Sequence, residues 1–270
     1  MKTNAPTCKS VLVTGGARGI GAAIAQRMAS DGCRVAVNFR NSETAAEALC
    51  LDIRASGGVA VAIQADVTKP CEAEHLIAES DRLLGGIDGV IHNVGGFCWR
   101  PLTKMSPQEW DFVLRSNLSS AFYLFRAAEP YLRRSAAPNF ITIGLSPADG
   151  VRAATNVGAY AIAKTGLQMF TRTLAAEVAP TGIRVNCVAP GLIDNNHLPA
   201  AQREWMTRRV PSGRLGRADE IAAVISFLIG DEAQYISGST LAVSGAWDWQ
   251  DRDSTHDRLV DATFSEELKS

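Results

Sequence analysis

The chain lacks any run of ~20 uninterrupted apolar residues, so no membrane span is expected in it. Its amino terminus, MKTNAPTCKSVLVTGG, holds no apolar stretch long enough for a secretion signal, and a cytoplasmic location is the expectation. An excess of charge of either sign is missing as well: 27 Lys and Arg balance 28 Asp and Glu, for a formal net charge of −1. That balance removes the electrostatic footprint of a nucleic-acid or anionic-membrane binder and turns attention to small molecules. The six cysteines (Cys8, Cys33, Cys50, Cys71, Cys98 and Cys187) are scattered, with no C-x-x-C pair and no histidine at ligand spacing. Reduced thiols are expected, and no metal site. No Pro/Gly/Ser-rich linker, repeat or low-complexity stretch interrupts the chain before about residue 245. One domain over 1–245 is therefore expected, followed by a charged, weakly patterned extension over 246–270.

What is present is a rhythm. Short β-branched runs (VLVT near 11, VAVNF near 35, VAVAIQ near 59, GVIHNV near 89, FITIG near 140, IRVNCVA near 183, TLAVSG near 240) alternate with longer segments of helical period. Such alternation predicts an α/β fold, a Rossmann-like doubly wound parallel sheet of about seven strands with helices on both faces. The runs are continuously apolar, as strands covered on both sides must be. Trp247 and Trp249 are expected to pack where the last strand ends, the alternative being closure of a neighbouring subunit's site.

Directly after the first run comes TGGARGIG, Thr14 to Gly21, leading into the helical AAIAQRMASDG. Glycines at 15, 19 and 21 allow a tight turn and let bare backbone N–H groups reach a pyrophosphate at the positive end of a helix. At the end of the second strand an NAD site usually has an acid for the ribose hydroxyls. Here Phe39 stands in its place, with Arg40 beside it and Arg18 inside the glycine turn. Two charge-assisted contacts of roughly 1.5–3 kcal/mol each to a 2′-phosphate favour NADP(H). The alternative is a pair of solvated surface cations.

In "GLSPADGVRAATNVGAYAIAK", Tyr160 precedes Lys164 by four residues, which puts both on one helix face. An ammonium close to a phenol is expected to lower the phenol's pKa from about 10 and ready it for proton exchange with a substrate oxygen. The alternative is a core tyrosine with a satisfied hydroxyl.

The ordered series TGGARGIG, Asp66-Val67, HNVGG at 92–96, Asn117, the serine segment, YAIAK and APG at 189–191 resembles the short-chain dehydrogenases/reductases, from about Lys9 to Gly245. "RVNCVAPG" and "VPSGRLGRADEIA" look most like the branch that reduces 3-oxoacyl-[acyl-carrier-protein]. The resemblance implies that Tyr160 acts as acid or base, that Lys164 steadies it and the nicotinamide ribose, and that Ser146 donates a hydrogen bond to the substrate oxygen. It further implies that Asn117 kinks its helix and supports a water chain to the lysine. Gly15, Arg18, Gly19, Ile20, Gly21, Arg40, Asp66, Val67, Asn93, Gly95, Tyr160, Lys164, Pro190 and Ile193 become the cofactor-binding set. The family's serine lies thirteen residues before its tyrosine, whereas Ser146 lies at fourteen and Pro147 at thirteen. Either the loop carries one extra residue around Leu145 or another group takes the role; the first is preferred, since Ser146 is the first hydroxyl after FITIG. His92 and Val94 replace the usual asparagine and alanine, Asn195 replaces a common threonine, and His92 is expected to be a packed histidine.

The same resemblance makes 192–213 a lid, with Trp205, Met206, Phe97, Cys98 and Trp99 forming an apolar pocket for a hydrophobic small molecule or acyl thioester. The expected activity is ketone reduction with NADPH. Oxidation of a secondary hydroxyl on a bulky natural product and a catalytically silent NADP(H) sensor are the alternatives. An acidic carrier protein would meet Arg133-Arg134, and a homotetramer would form through Phe122, Phe125, Leu167 and Phe170 on the helices expected at 107–134 and 157–179.

Overall fold

A computed structural model describes residues 10–147, 150, 153–195 and 198–247. Strands β1 (Ser10–Val13), β2 (Arg34–Phe39), β3 (Val59–Gln64), β4 (Gly89–His92), β5 (Asn139–Ile143), β6 (Arg184–Pro190) and β7 (Thr240–Val243) form one parallel sheet. Their order is β3-β2-β1-β4-β5-β6-β7. All seven apolar runs became strands, and the fold is a single α/β domain. The central strands β1, β4 and β5 are buried along their whole length, whereas the edge strands β3 and β7 keep exposed positions. Burial on both faces is what removed the polar alternation from the central runs.

Helices α1 (Gly19–Ser30), α2 (Glu43–Ala55), α3 (Pro70–Leu84), α4 (Pro107–Leu114), α5 (Ser120–Leu132), α6 (Gly158–Val178), α7 (Ala200–Thr207) and α8 (Ala218–Ile229) follow the strands. Strand side chains alternate between faces. Val11 and Val13 join Ile24 and Met28 of α1, Leu49 of α2 and Ile225 of α8 in one core. Leu12 joins Leu76 of α3, Leu124 of α5, Phe140 of β5 and Leu174 of α6 in the other. Each such side chain, removed from water, contributes roughly 1.5–3 kcal/mol.

The single helix expected at 107–134 is two helices joined by a π-helical turn at Arg115–Ser119. Side chains in and beside that turn compete for helix carbonyls. Ser116 Oγ donates to Phe112 O (2.7 Å), Asn117 Nδ2 to Val113 O (2.9 Å) and Ser120 Oγ to Ser116 O (2.6 Å). Such turns gather at functional sites. Of the residues expected on the outer face of these helices, only Phe122 is prominently exposed. Leu167 is fully buried, Phe125 stands edge-on to Phe140, and Phe170 packs on the second core, because both helices press more of their surface on the sheet than the periodicity suggested. Ile162 and Met169 are the exposed large apolar residues of α6.

The sheet order reverses between β1 and β4, and ligands in such sheets bind in the crevice at that reversal. The two chain segments leaving these strands, 14–21 and 93–96, are the glycine turn and the HNVGG run. Among the described residues no helix is long and apolar enough to cross a membrane, and the five described cysteines are free thiols.

Candidate active site

At the phosphate end, Thr14 N donates to Ile91 O (3.0 Å) and Asn93 N to Thr14 Oγ1 (3.0 Å), which ties the two strand exits together. Asn93 Nδ2 then reaches both Thr14 O and Gly15 O at 3.2 Å. Gly21 lies so close to this bracing that a Cβ would collide with Gly15 O and with Asn93 Nδ2. Gly15 and Gly19 hold positive φ, which completes the turn. Helix α1 begins with no side-chain cap and no acid in its first turn, so its leading N–H groups are left for an outside anion. The bare cradle and the uncapped helix fit the pyrophosphate of a dinucleotide.

Phe39 is buried, so no carboxylate stands at the end of β2; the exposed Arg40 follows it, and Arg18 is exposed at the start of α1. Arg40 Nη1 lies 3.9 Å from Asp66 Oδ2. Thr68 donates to Asp66 Oδ1 from both its backbone and its hydroxyl. Burial opposes ionisation of Asp66, but these hydrogen bonds and the charges of Arg40 and Lys69 outweigh it and hold the carboxyl below its ordinary value. The aspartate is an acceptor at the rim, and Val67 beside it is buried.

At the chemical end, α6 brings Tyr160 and Lys164 past the ends of β4 and β5. Lys164 is almost completely buried, and its Nζ donates to Ile143 O (2.7 Å). Gly95 is confined by the same group: a Cβ there would strike Asn117 Oδ1 and come within 3.2 Å of Lys164 Nζ. Asn117 Nδ2 donates to Gly96 O (2.7 Å), while Asn117 Oδ1 is a buried acceptor with no partner, turned towards the space beside the lysine. Tyr160 is half-buried with Phe97 edge-on at 5.2 Å between ring centroids, in a cluster with Cys98, Val113, Ala159 and Ala163.

One electrostatic expectation is corrected. Lys164 does not lower the Tyr160 phenol; burial pushes that phenol up to about 12, and burial brings Lys164 itself down to about 8. The ammonium sits 5.5 Å from the centroid of the tyrosine ring and commits a proton to Ile143 O, so desolvation dominates over its attraction for a phenolate. His92 is the packed histidine expected. Ser120 Oγ gives its proton to Ser116 O, so at the 2.8 Å contact it accepts from His92 Nε2–H, and Nδ1 bears the lone pair. Burial and then the Lys164 charge push this imidazole down to about 3.

Ser146 is buried, next to the cis Ser146–Pro147 bond. Its N–H donates to Pro190 O (3.0 Å) and its Oγ to Trp247 O (3.4 Å). It shares a small cleft with Lys164, Ala161, Thr165 and Gln168. Thr142, the nearest other hydroxyl on this strand, is bound to Thr171 Oγ1 (2.9 Å) in the core. Trp247 packs with Val210, Leu215, Leu145, Leu192 and Met206, beyond the last strand as expected, whereas Trp249 lies outside the described residues.

The apolar pocket is split differently from the expectation. Phe97 stands edge-on to Tyr160 with Trp99 tilted against Phe97, and Met206 joins the Trp247 cluster. Trp205 instead stacks under the Arg209 guanidinium at 3.7 Å, because Arg209 follows it by four residues, one helical turn on, and so brings its cation over the ring face. Arg133 and Arg134 are paired with Glu129 and Asp81 of the same chain, the ordinary fate of helix-surface cations. Pro190 ends β6, and Ile193 bridges to Gly216, which places both at the foot of the lid.

The family model for enoyl-(acyl carrier protein) reductase matches residues 15–247. The chain belongs to the short-chain dehydrogenase/reductase family. Family membership makes it an oxidoreductase acting between keto and CH–OH groups. A 3-oxoacyl-[acyl-carrier-protein] reductase of Staphylococcus epidermidis is 37% identical over 240 residues, covering 88% of this chain and 98% of that one. Among solved structures, a Sinorhizobium meliloti dehydrogenase/reductase superposes with a TM-score of 0.83 at 34% identity, over 88% of this chain and 94% of the other. A blue fluorescent protein from a metagenomic library, in complex with NADPH, gives 0.81 at 32% identity over 88% and 96%.

Two residues of this dehydrogenase/reductase went unmarked in the sequence. Asn38 accepts from Gly15 N (3.3 Å) and donates to Ala65 O (3.0 Å), pinning the glycine turn across β2 to the exit of β3. An amide inside the apolar run VAVNF was its signal. Gln168, one turn beyond Lys164, donates to Leu145 O (2.9 Å) and gave no signal beyond that spacing.

Proposed function

We propose that this protein reduces the keto group of a 3-oxoacyl thioester to a secondary alcohol with NADPH. The observation that carries the proposal is Tyr160 one helical turn before the buried Lys164, whose ammonium lies 5.5 Å from the centroid of the tyrosine ring at the chemical end of the cleft. A phenol that holds its proton at neutral pH is a loaded donor for ketone reduction, and the supply of reduced cofactor sets that direction. An intact Tyr160 and Lys164 pair also argues against a silent sensor.

The glycine turn with Ile20, Asn93 and Gly95, the rim residues Asp66 and Val67, and Pro190 and Ile193 at the lid would hold the dinucleotide. Reduced nicotinamide supplies, when bound, the hydride that adds to the carbonyl carbon. Tyr160 Oη delivers the proton to the carbonyl oxygen. Ser146 Oγ donates a hydrogen bond to that same oxygen, leaving Trp247 O to do so. Lys164 Nζ keeps positive charge beside the tyrosine, and Asn117 Oδ1 accepts from the water or ammonium proton that reaches it. Arg18 and Arg40 favour the 2′-phosphate, and the NADPH complex of the metagenomic protein supports that choice.

The carried thioester is inferred from the reductases that share 37% of the sequence. A carrier approaching Arg133 and Arg134 would compete with Glu129 and Asp81 for them. We place the enzyme in the cytoplasm and propose a homotetramer, for which the exposed Phe122 (49%), Ile162 (47%) and Met169 (66%) offer apolar contact surface.

The test follows NADPH absorbance with acetoacetyl thioesters, bulky ketones and an enoyl thioester. Turnover of the 3-oxoacyl thioester above the others is expected. Turnover of the enoyl thioester alone, or of none, would overturn the proposal.

A further inference from the structure

We infer that Gln168 is a positioning residue that fixes the Ser146 loop for catalysis; the inference rests on the proposed role of Ser146 as donor to the substrate oxygen. Strand β4 pairs with β5 only as far as His92 and Thr142. Beyond that point β5 keeps its bonds to β6, since Gly144 N donates to Val188 O (2.7 Å) and Ser146 N to Pro190 O (3.0 Å). In an extended chain the carbonyls of the alternate residues, Ile143 and Leu145, face the opposite edge. Among the described residues no strand is left there to satisfy them, and a carbonyl inside the protein needs a donor. Helix α6 supplies both donors from one face: Lys164 Nζ to Ile143 O (2.7 Å) and, four residues on, Gln168 Nε2 to Leu145 O (2.9 Å).

The second of these bonds sits on the residue immediately before Ser146. Gln168 is buried and lines the same cleft as Ser146 and Lys164. A hydrogen bond from α6 to the carbonyl of Leu145 anchors Ser146 to the helix that carries the tyrosine. Gln168 provides that anchor and sets where Ser146 Oγ lies relative to Tyr160. It touches no substrate atom itself.

Gln168→Met keeps the size of the side chain and removes the donor. The expected result is a fall in kcat of about ten- to a hundredfold, as for a small misplacement of a catalytic group, with NADPH Kd unchanged by fluorescence titration. Ser146→Ala and the Ser146→Ala/Gln168→Met double variant should then be equally slow, because Gln168 acts through Ser146. Gln168→Glu guards against misfolding of the Met variant: a carboxylate cannot donate to Leu145 O, but a carboxylic acid can. Its rate relative to the parent should therefore recover as pH falls. Additive losses in the double variant, full activity in Ser146→Ala, or a lowered Tm with unchanged kcat would each overturn the inference. A collapse of activity in Tyr160→Phe alongside any of these leaves the proposed reaction standing and removes only the role of Gln168; retained activity in Tyr160→Phe removes the proposed reaction itself.

Discussion

The two ends of the cleft solve different problems with different material. At the phosphate end, backbone N–H groups and a braced turn face outwards, and the cations Arg18 and Arg40 are exposed. At the chemical end, the titratable groups Lys164 and His92 are buried, and Tyr160 is half-buried with its phenol displaced in pKa. An anion of fixed charge asks only for donors at the right spacing. A proton transfer asks for groups whose protonation the protein has set, and only burial or neighbouring charge sets it.

The comparison breaks first at Tyr160. Replacing it by Phe should reduce kcat by about 10²–10⁴ while NADPH affinity changes far less; a loss of affinity of the same size would mean that the two ends are not separable. Arg40→Ala should do the reverse, reducing the preference for NADPH over NADH by about ten- to a hundredfold with little change in kcat. Steady-state kinetics with both nucleotides reads this directly, and an unchanged ratio would return Arg40 to the status of a solvated cation.

The smallest effect concerns stability and His92. Its imidazole stays neutral in the folded chain down to about pH 3, whereas an unfolded histidine protonates near pH 6.5. The stability this contributes is fully present above about pH 6.5 and is lost as pH falls towards the folded value, by roughly 2 kcal/mol between pH 6.5 and 5. His92→Asn should remove that slope in urea melts. An identical slope in the variant would locate the acid sensitivity elsewhere.

The fold was legible because burial on both faces writes itself into strands as unbroken apolar runs, and each of VLVT, GVIHNV and FITIG landed in the central sheet. The phosphate cradle was legible for a related reason: a Gly21 whose Cβ would collide with the chain leaves one residue type to read. The chemical end was legible only in its residue identities. Nothing in the spacing of Tyr160 and Lys164 reveals that both are desolvated, or that the ammonium is drawn to Ile143 O, since these depend on what packs around them. Likewise Phe125 and Leu167 read as outward-facing because periodicity gives a helix its stripe but not the width of surface that the sheet will cover.

The central claim is that a protonated Tyr160 gives its proton to the substrate while a charged Lys164 stands beside it. The direct test is the pH profile of kcat/KM for ketone reduction. The account predicts a rate that is level from pH 6 to about 8 and falls above it, as Lys164 loses its charge near its depressed value of about 8. A rate that climbs with pH across this range would show that the ionised phenol is the active form and would contradict the account.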